Sequence, residues 1–93
     1  MLRGILRTPR FKRDYKELMR KHYDETKFVR VVELLMAEET AELVRAYRDH
    51  ALKGEWSGFR ELHIEGDWLL IHRINRDELE LVLTRTGSYD ELF

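Results

Sequence analysis

The stretch from Glu61 to Trp68 holds the residues whose types and spacing could do chemistry. It places one histidine, His63, among three carboxylates within eight positions. Cleavage of RNA by its own 2′-hydroxyl needs a group that takes the hydroxyl proton, a group that protonates the leaving 5′-oxygen, and a cation that stabilises the phosphorane. Histidine suits the proton steps because its pKa lies near neutrality. The stretch is therefore a candidate proton-transfer site.

Two other interpretations of the same stretch stay open at this point. A tryptophan at the start of a strand usually packs in a core, and an aspartate after a glycine in a turn usually accepts hydrogen bonds from backbone N–H groups. From spacing alone, this structural interpretation has the greater weight. His63, Glu65 and Asp67 could also bind Mn, Fe or Zn, which accept oxygen and imidazole ligands. No spaced histidine or cysteine pair supports a metal, so the metal-free interpretation is preferred.

Three strands are predicted to position this stretch, because runs rich in Leu, Ile, Val and aromatics lie between turn residues. They cover 58–65, 68–74 and 78–85. Gly66-Asp67 fits a two-residue hairpin loop. The first hairpin then pairs Glu65 with Trp68, Ile64 with Leu69, His63 with Leu70, and Leu62 with Ile71. A second turn centred on Arg76-Asp77 pairs Arg73 with Glu80, Ile71 with Val82, Leu70 with Leu83, and Trp68 with Arg85.

This register gathers the chemistry-bearing residues at one end of the predicted sheet. Glu65, Asp67, Trp68 and Arg85 come within side-chain reach of one another, with His63 one pleat further in. A slip of one residue would turn every side chain to the other face, so the prediction is sharp. Both faces of the sheet are apolar, and the pattern does not decide which face other elements cover.

Two helices are predicted before the strands. Thr8 suits an N-cap and Pro9 the first helical position, and apolar residues then recur at helical spacing from Phe11 to His22. Asp24 suits the N-cap of a second helix that begins with Glu25. The short link between them predicts a helical hairpin. With a possible first strand at 4–7, the chain is an α+β domain, a helical hairpin packed on an antiparallel β-sheet meander.

Composition limits the classes of protein. The 93 residues suit one domain, 1–93, and contain no cysteine, which excludes disulfides and thiolate sites and is compatible with the cytoplasmic location that we expect. No apolar run is long enough to span a membrane. The net charge of −1 hides an asymmetry, +6 over residues 1–30 and −7 over the rest. A basic segment can contact a polyanion, although a solvated helix face is the simpler interpretation of the charge alone.

The run from Arg48 to His72, which reads RDHALKGEWSGFRELHIEGDWLLIH, together with Arg85-Thr-Gly and the terminal Leu92-Phe93, resembles the YafQ branch of the RelE/ParE toxin superfamily. The resemblance implies a RelE-like fold of the microbial RNase type and a toxin from a type II toxin–antitoxin system. It implies a ribosome-dependent mRNA endonuclease that needs no metal or other cofactor. It also implies a cognate antitoxin, typically of ribbon-helix-helix type, with operator DNA bound only through the toxin–antitoxin complex.

Position by position, the resemblance assigns residues to roles. His50, His63 and Asp67 match catalytic residues of the family, Arg85 matches an arginine near the scissile phosphate, and Phe93 matches a residue that places the RNA. One departure matters: this chain has Tyr89 where the YafQ pattern has a histidine. With an unperturbed pKa of about 10, tyrosine is a weaker acid or base at neutral pH.

The leading hypothesis is an endoribonuclease that acts by 2′-hydroxyl attack. It uses His50, His63 and Asp67 as the acid–base core, Tyr89 as a fourth proton-transfer candidate, and Arg85 at the phosphate. Further RNA-binding candidates are Lys53, Arg60, Trp68 and Phe93. Two alternatives are a ParE-like toxin that targets gyrase without cutting RNA, and an inactive homologue that serves as a binding partner of its antitoxin.

Overall fold

The computed structural model describes all residues, Met1–Phe93, as a five-stranded mixed sheet with three helices on one face and a short C-terminal helix on the other. The elements are β1 (Gly4–Arg7), α1 (Pro9–Arg20), α2 (Glu25–Met36), α3 (Thr40–Tyr47), β2 (His50–Ala51), a 3-10 turn (Gly54–Trp56), β3 (Arg60–Glu65), β4 (Trp68–Asn75), β5 (Glu80–Gly87) and α4 (Tyr89–Leu92). The strand order is β1-β5-β4-β3-β2, with β1 parallel to β5 and the other pairs antiparallel. The predicted α+β fold is confirmed. No helix has the length and apolar character that a membrane span requires.

The helical hairpin forms where its caps predict it. Thr8 Oγ1 accepts a hydrogen bond from the Phe11 N–H at 3.0 Å, and the Asp24 carboxylate accepts one from the Thr26 N–H at 3.0 Å. The two helices meet through aromatic rings, with Tyr15 and Phe28 centroids 4.8 Å apart. Because each cap satisfies a backbone donor that the helix itself cannot, local sequence suffices to start both helices.

The helices cover the sheet face that carries Leu62, Leu70 and Leu81. These residues belong to one core cluster with α1 and α2 residues such as Phe11 and Val31. The opposite face has a smaller apolar cluster, which consists of Leu69, Ile71 and Leu92 with Leu52, Trp56 and Phe59 packed against it. Part of that second face is therefore free of helices, and it is the face available for a site.

The predicted β3–β4 register is right only at its first pair. Glu65 lies opposite Trp68, but His63 is opposite Leu69, because a β-bulge makes Ile64 an extra residue. The remaining pairs are Leu62 with Leu70 and Glu61 with Ile71. The bulge brings Leu62 opposite Leu70, and both lie in the helix-side core, while His63 and Glu61 face the other way.

The predicted β4–β5 register is wrong because the turn is longer than predicted and β5 contains a bulge. The turn has four residues, 76–79, because the Asn75 side chain accepts hydrogen bonds from the N–H groups of Asp77 and Glu78, and Leu79 takes a left-handed conformation with φ 53°. Glu80 therefore pairs with Asn75 instead of Arg73. A second bulge, at Thr84, then changes the register again and places Arg85 opposite Ile71 and not opposite Trp68.

Candidate functional site

Two histidines meet a buried carboxylate on the face of the sheet opposite α1, α2 and α3. β2 pairs with β3 so that His50 is opposite Glu61, and His63 follows two residues along the same strand face. Glu61 Oε1 lies 3.6 Å from Nε2 of His50 and 3.9 Å from Nε2 of His63. The Glu61 side chain is 8% exposed, whereas the His50 side chain is 51% exposed. The arrangement presents two imidazoles to solvent above one protected negative charge.

Backbone carbonyls fix the orientation of both rings. Nδ1 of His50 lies 2.7 Å from the Arg48 carbonyl, and Nδ1 of His63 lies 3.1 Å from the Gly66 carbonyl. A carbonyl oxygen only accepts, so each Nδ1 carries the hydrogen and each Nε2 is left for chemistry. The Arg48 guanidinium also lies 3.3 Å from Nδ1 of His63. Because that nitrogen already donates to a carbonyl, Arg48 contributes positive charge beside the ring and not a hydrogen bond.

Asp67 joins the β3–β4 turn to the C-terminal helix. Its Oδ1 accepts a hydrogen bond from the Tyr89 N–H at 3.1 Å. Ser88 and Glu91 form a capping box at the start of α4, and these hydrogen bonds lower the pKa of Glu91. The Tyr89 side chain is 59% exposed, and its hydroxyl makes no hydrogen bond within the chain. Asp67 and Tyr89 thus lie at the same end of the sheet as Gly66, whose carbonyl orients the His63 ring.

Aromatic rings extend the site beside the histidines. The centroid distances are 5.1 Å from Tyr89 to Phe93, 6.1 Å from Phe93 to Trp56, and 5.4 Å from Trp56 to Phe59. These four residues form what we call the aromatic row. Lys53, just before the turn that carries Trp56, is exposed and makes no ion pair. Rings beside a free cation are suited to single-stranded nucleic acid, since bases stack on the rings and phosphates attract the cation.

Three predicted site residues are engaged elsewhere. Arg85 binds the Asp14 carboxylate of α1 through two N–H groups, at 2.9 and 3.1 Å, and is not brought to Trp68. Trp68 is 3% exposed and donates from Nε1 to Thr86 Oγ1 at 2.9 Å, so its ring is not available for stacking on a base. Its proposed RNA contact is therefore wrong, and its place is in the core.

Arg60, which the sequence analysis names as an RNA-binding candidate, is the third residue with a different partner. It lies opposite His72 on the helix-side face, and its Nε is 3.3 Å from the buried Asp49 carboxylate. Its guanidinium is committed to that ion pair and lies on the far side of the sheet from His50. Arg60 is therefore not placed to bind RNA at this site.

Glu65 and Asp67, two residues of the metal interpretation, have separate partners in the structure. Glu65 forms an ion pair with Lys27 of α2, while Asp67 accepts from Tyr89. No three His, Asp or Glu side chains in the chain are arranged to hold a metal ion.

Sequence reasoning missed Glu61, Trp56 and Phe59 as site residues. The signal for Glu61 was present, because it lies two positions before His63 and so shares its strand face. Its burial between two imidazoles depends on β2, a two-residue strand that no periodicity could reveal. Trp56 and Phe59 lie in a loop, where the alternation of apolar and polar residues does not show which side of the sheet a side chain faces.

Comparison with known proteins gives full-length matches. A family model described as a bacterial toxin of type II toxin–antitoxin systems, YafQ, matches residues 3–93. The chain is 36% identical over 91 residues to the mRNA interferase toxin YafQ of Escherichia coli K12, covering 98% of this chain and 96% of that protein.

Solved structures agree with this match. The crystal structure of YafQ from E. coli BL21(DE3) has a TM-score of 0.84 at 35% identity, and YafQ in the E. coli DinJ–YafQ complex has 0.84 at 34%; each covers 98% of both chains. A metal-bound toxin from Helicobacter pylori has a TM-score of 0.90 at 39% identity and covers 100% of both chains.

Proposed function

The chain belongs to the YafQ family of toxins from type II toxin–antitoxin systems and is an mRNA interferase, and we propose that it cuts RNA with the two imidazoles over Glu61. The expected family and the expected endoribonuclease activity are confirmed. A ParE-like role at gyrase and an inactive homologue are not favoured. The observation that carries the mechanism is the pair of Nε2 atoms, 3.6 and 3.9 Å from one buried carboxylate oxygen.

The proposed reaction is attack of the RNA 2′-oxygen on the adjacent phosphorus. One imidazole Nε2 takes the 2′-hydroxyl proton as the O2′–P bond forms. The other imidazole, protonated, gives its proton to the 5′-oxygen as the P–O5′ bond breaks. The products are a 2′,3′-cyclic phosphate and a 5′-hydroxyl. The negative charge of Glu61 stabilises whichever ring is positive, so the two rings can exchange roles.

Asp67 and Tyr89 are proposed as further proton-transfer groups at the same end of the sheet. Asp67 keeps one carboxylate oxygen free, since only Oδ1 accepts from the Tyr89 N–H. The exposed Tyr89 hydroxyl can reach a substrate without breaking any internal hydrogen bond. Lys53 is proposed to bind phosphate, and Tyr89, Phe93 and Trp56 to stack on bases. Arg85 can contact phosphate only by leaving Asp14.

A cognate antitoxin is the partner that the comparisons support, since E. coli YafQ has been solved bound to DinJ. We propose an antitoxin of ribbon-helix-helix type, and contact with operator DNA only through that complex. We also propose that the ribosome presents the messenger, with the basic outer face of α1 meeting ribosomal RNA. Both proposals place the protein in the cytoplasm.

The test is to add the purified protein to ribosome complexes with a messenger in place and to map new RNA ends. Cuts in the A-site codon with 5′-hydroxyl ends are expected. His63→Ala should lower the rate by ~10²-fold or more, the usual contribution of one proton-transfer group. His22→Asn is the matched control, because His22 is an exposed histidine in a left-handed conformation that asparagine tolerates. Cleavage by His63→Ala at the control's rate would refute the proposed site.

A further inference from the structure

Asp49 is a buried carboxylate that the proposed chemistry does not use. It is 7% exposed, and Glu61 is the only other carboxylate as buried in the chain. It lies between Arg48, whose carbonyl holds Nδ1 of His50, and His50 itself. A buried charge is retained only where partners compensate it, so its contacts are informative.

Two strands hold the Asp49 side chain from the helix side of the sheet. Arg60 Nε lies 3.3 and 3.4 Å from the two carboxylate oxygens, and His72 Nε2 lies 3.4 Å from Oδ1. Arg60 and His72 are themselves paired across β3 and β4. Burial alone raises the pKa of Asp49, but the contacts with His72 and Arg60 outweigh it and hold the pKa below its usual range. The group is therefore an anion fixed by two neighbouring strands.

The segment around His50 needs such an attachment. β2 has only two residues and lies at the edge of the sheet, and Arg48 before it takes a left-handed conformation with φ 54°. A strand this short has too few ladder hydrogen bonds to fix its own position. Asp49 directly precedes β2, and its side chain meets Arg60 and His72 on the helix side, whereas His50 lies opposite Glu61 on the site side.

We propose that Asp49 is a positioning residue for His50, and that Arg60 and His72 act through it. Their contacts with the Asp49 carboxylate fix the positions of the Arg48 carbonyl and the His50 ring relative to Glu61. Arg60 thereby has a role in the reaction without contact with RNA. The kinetic part of this proposal rests on the proposed endoribonuclease, whereas the ring geometry can be measured without any activity.

The experiment combines two readouts on the full-length protein. The first is the tautomer of each histidine by long-range ¹H–¹⁵N correlation, with His63 as the internal reference because its Nδ1 is held by Gly66. The second is single-turnover cleavage, which separates kcat from KM. The variants are Asp49→Ala and Asp49→Asn. Asp77→Asn is the matched control, an exposed aspartate in the β4–β5 turn whose side chain forms no hydrogen bond or ion pair.

In Asp49→Ala, His50 should lose the Nδ1–H tautomer while His63 keeps it. The kcat should fall by ~10- to 100-fold with KM within about twofold, as expected when a catalytic group is displaced by about 1 Å. Asp49→Asn, which keeps an oxygen acceptor, should show a smaller change of the same kind. Arg60→Gln should also lower kcat and leave KM nearly unchanged.

A folded Asp49→Ala protein with an unchanged His50 tautomer, or with the kcat of the Asp77→Asn control, would overturn the proposal. A higher KM with normal kcat in Arg60→Gln would instead return Arg60 to RNA binding and equally overturn it. If Asp49→Ala does not fold, Asp49→Asn and Arg60→Gln decide by the same criteria. A wild-type protein that cuts no RNA would refute the proposed function, while the His50 spectrum would still decide the positioning.

Discussion

Replacing Thr86 by valine should destabilise the protein strongly although the two side chains have nearly the same shape. Thr86 Oγ1 accepts from Trp68 Nε1 at 2.9 Å and donates to the Leu69 carbonyl at 2.7 Å. Both contacts are buried, with Trp68 3% and Thr86 2% exposed. Valine has no oxygen, so the indole N–H is left without a partner where water cannot replace it.

The expected loss follows from these two contacts. A buried donor left without a partner costs about 1–3 kcal/mol, and the hydrogen bond to the Leu69 carbonyl contributes about 0.5–1.5 kcal/mol more. The added methyl group fills the space of the hydroxyl and recovers part of this. A net loss of about 2–3 kcal/mol lowers Tm by roughly 8–24 °C in a domain of this size.

Thr84→Val is the matched control two positions earlier on β5. The Thr84 hydroxyl oxygen is buried without any hydrogen-bond partner. Its backbone carbonyl still accepts from Thr8 Oγ1 after the change. Removing an unpaired buried hydroxyl should therefore be neutral or slightly stabilising.

Urea denaturation followed by tryptophan fluorescence would measure both variants. A double variant, Thr86→Val with Trp68→Phe, should lose less than the sum of the single changes, because it removes the unpaired N–H as well. The reasoning is refuted if Thr86→Val loses less than about 0.5 kcal/mol, the range of an ordinary surface change. It is refuted equally if Thr84→Val loses as much as Thr86→Val.

Three further changes test the site. Tyr89→Phe should lower kcat by ~10²-fold or more with unchanged Tm, since the hydroxyl is exposed and unbonded; equal rates for the two proteins would remove Tyr89 from proton transfer. Trp56→Ala should weaken binding of a non-cleavable 2′-O-methyl RNA by roughly 5- to 150-fold, as the loss of one base–aromatic stack predicts. Fluorescence anisotropy would measure this affinity, and an unchanged value would contradict the stacking role of Trp56. Because the pKa of Asp49 is lowered in the folded state, its contribution to stability is present at neutral pH and is lost as pH falls through that lowered pKa. When the free energy of unfolding is measured at decreasing pH, Asp49→Asn should therefore lose less stability than the wild type. An equal loss of stability in the two proteins would contradict the ion pair.

The sequence predicted those parts of the fold that short-range interactions determine. The caps at Thr8 and Asp24 involve residues two or three positions apart, and both helices begin where predicted. The Gly66-Asp67 turn is equally local, and its closing pair was correct. At both helix starts a side chain satisfies a backbone group of its own segment.

The strand registers failed where long-range packing decides. Either alternation of β4 offers apolar residues, Trp68 and Leu70 on one face and Leu69 and Ile71 on the other, so the pattern alone allowed two registers. The bulge at Ile64 is selected because Leu62 must meet the helix-side core, a requirement that only the folded α1 and α2 impose. At the second turn, a leucine at a left-handed position, Leu79, gave no turn signal.

The site was predictable in its residue types and less so in its geometry. His50 and His63 could be named as candidates because their chemistry is visible in the sequence, and the structure brings them together beside Glu61, although their catalytic role stays a prediction. Arg85 and Arg60 were misplaced because their partners are Asp14 and Asp49, which lie 71 and 11 positions away. An ion pair across such a distance leaves no periodic signal.

The Asp14–Arg85 pair changes how salt should act on this protein. A cation that binds phosphate from solution normally releases a counterion, and this release sets the slope of log affinity against log salt. Arg85 is already neutralised by a carboxylate that also accepts the Thr86 N–H. When an RNA phosphate binds the Arg85 guanidinium, it replaces the Asp14 carboxylate, and Asp14 then attracts a cation from solution. The slope of log affinity against log salt should therefore include the contact of Lys53 but not that of Arg85. The number of cationic side chains in contact with the RNA will be larger than this slope indicates.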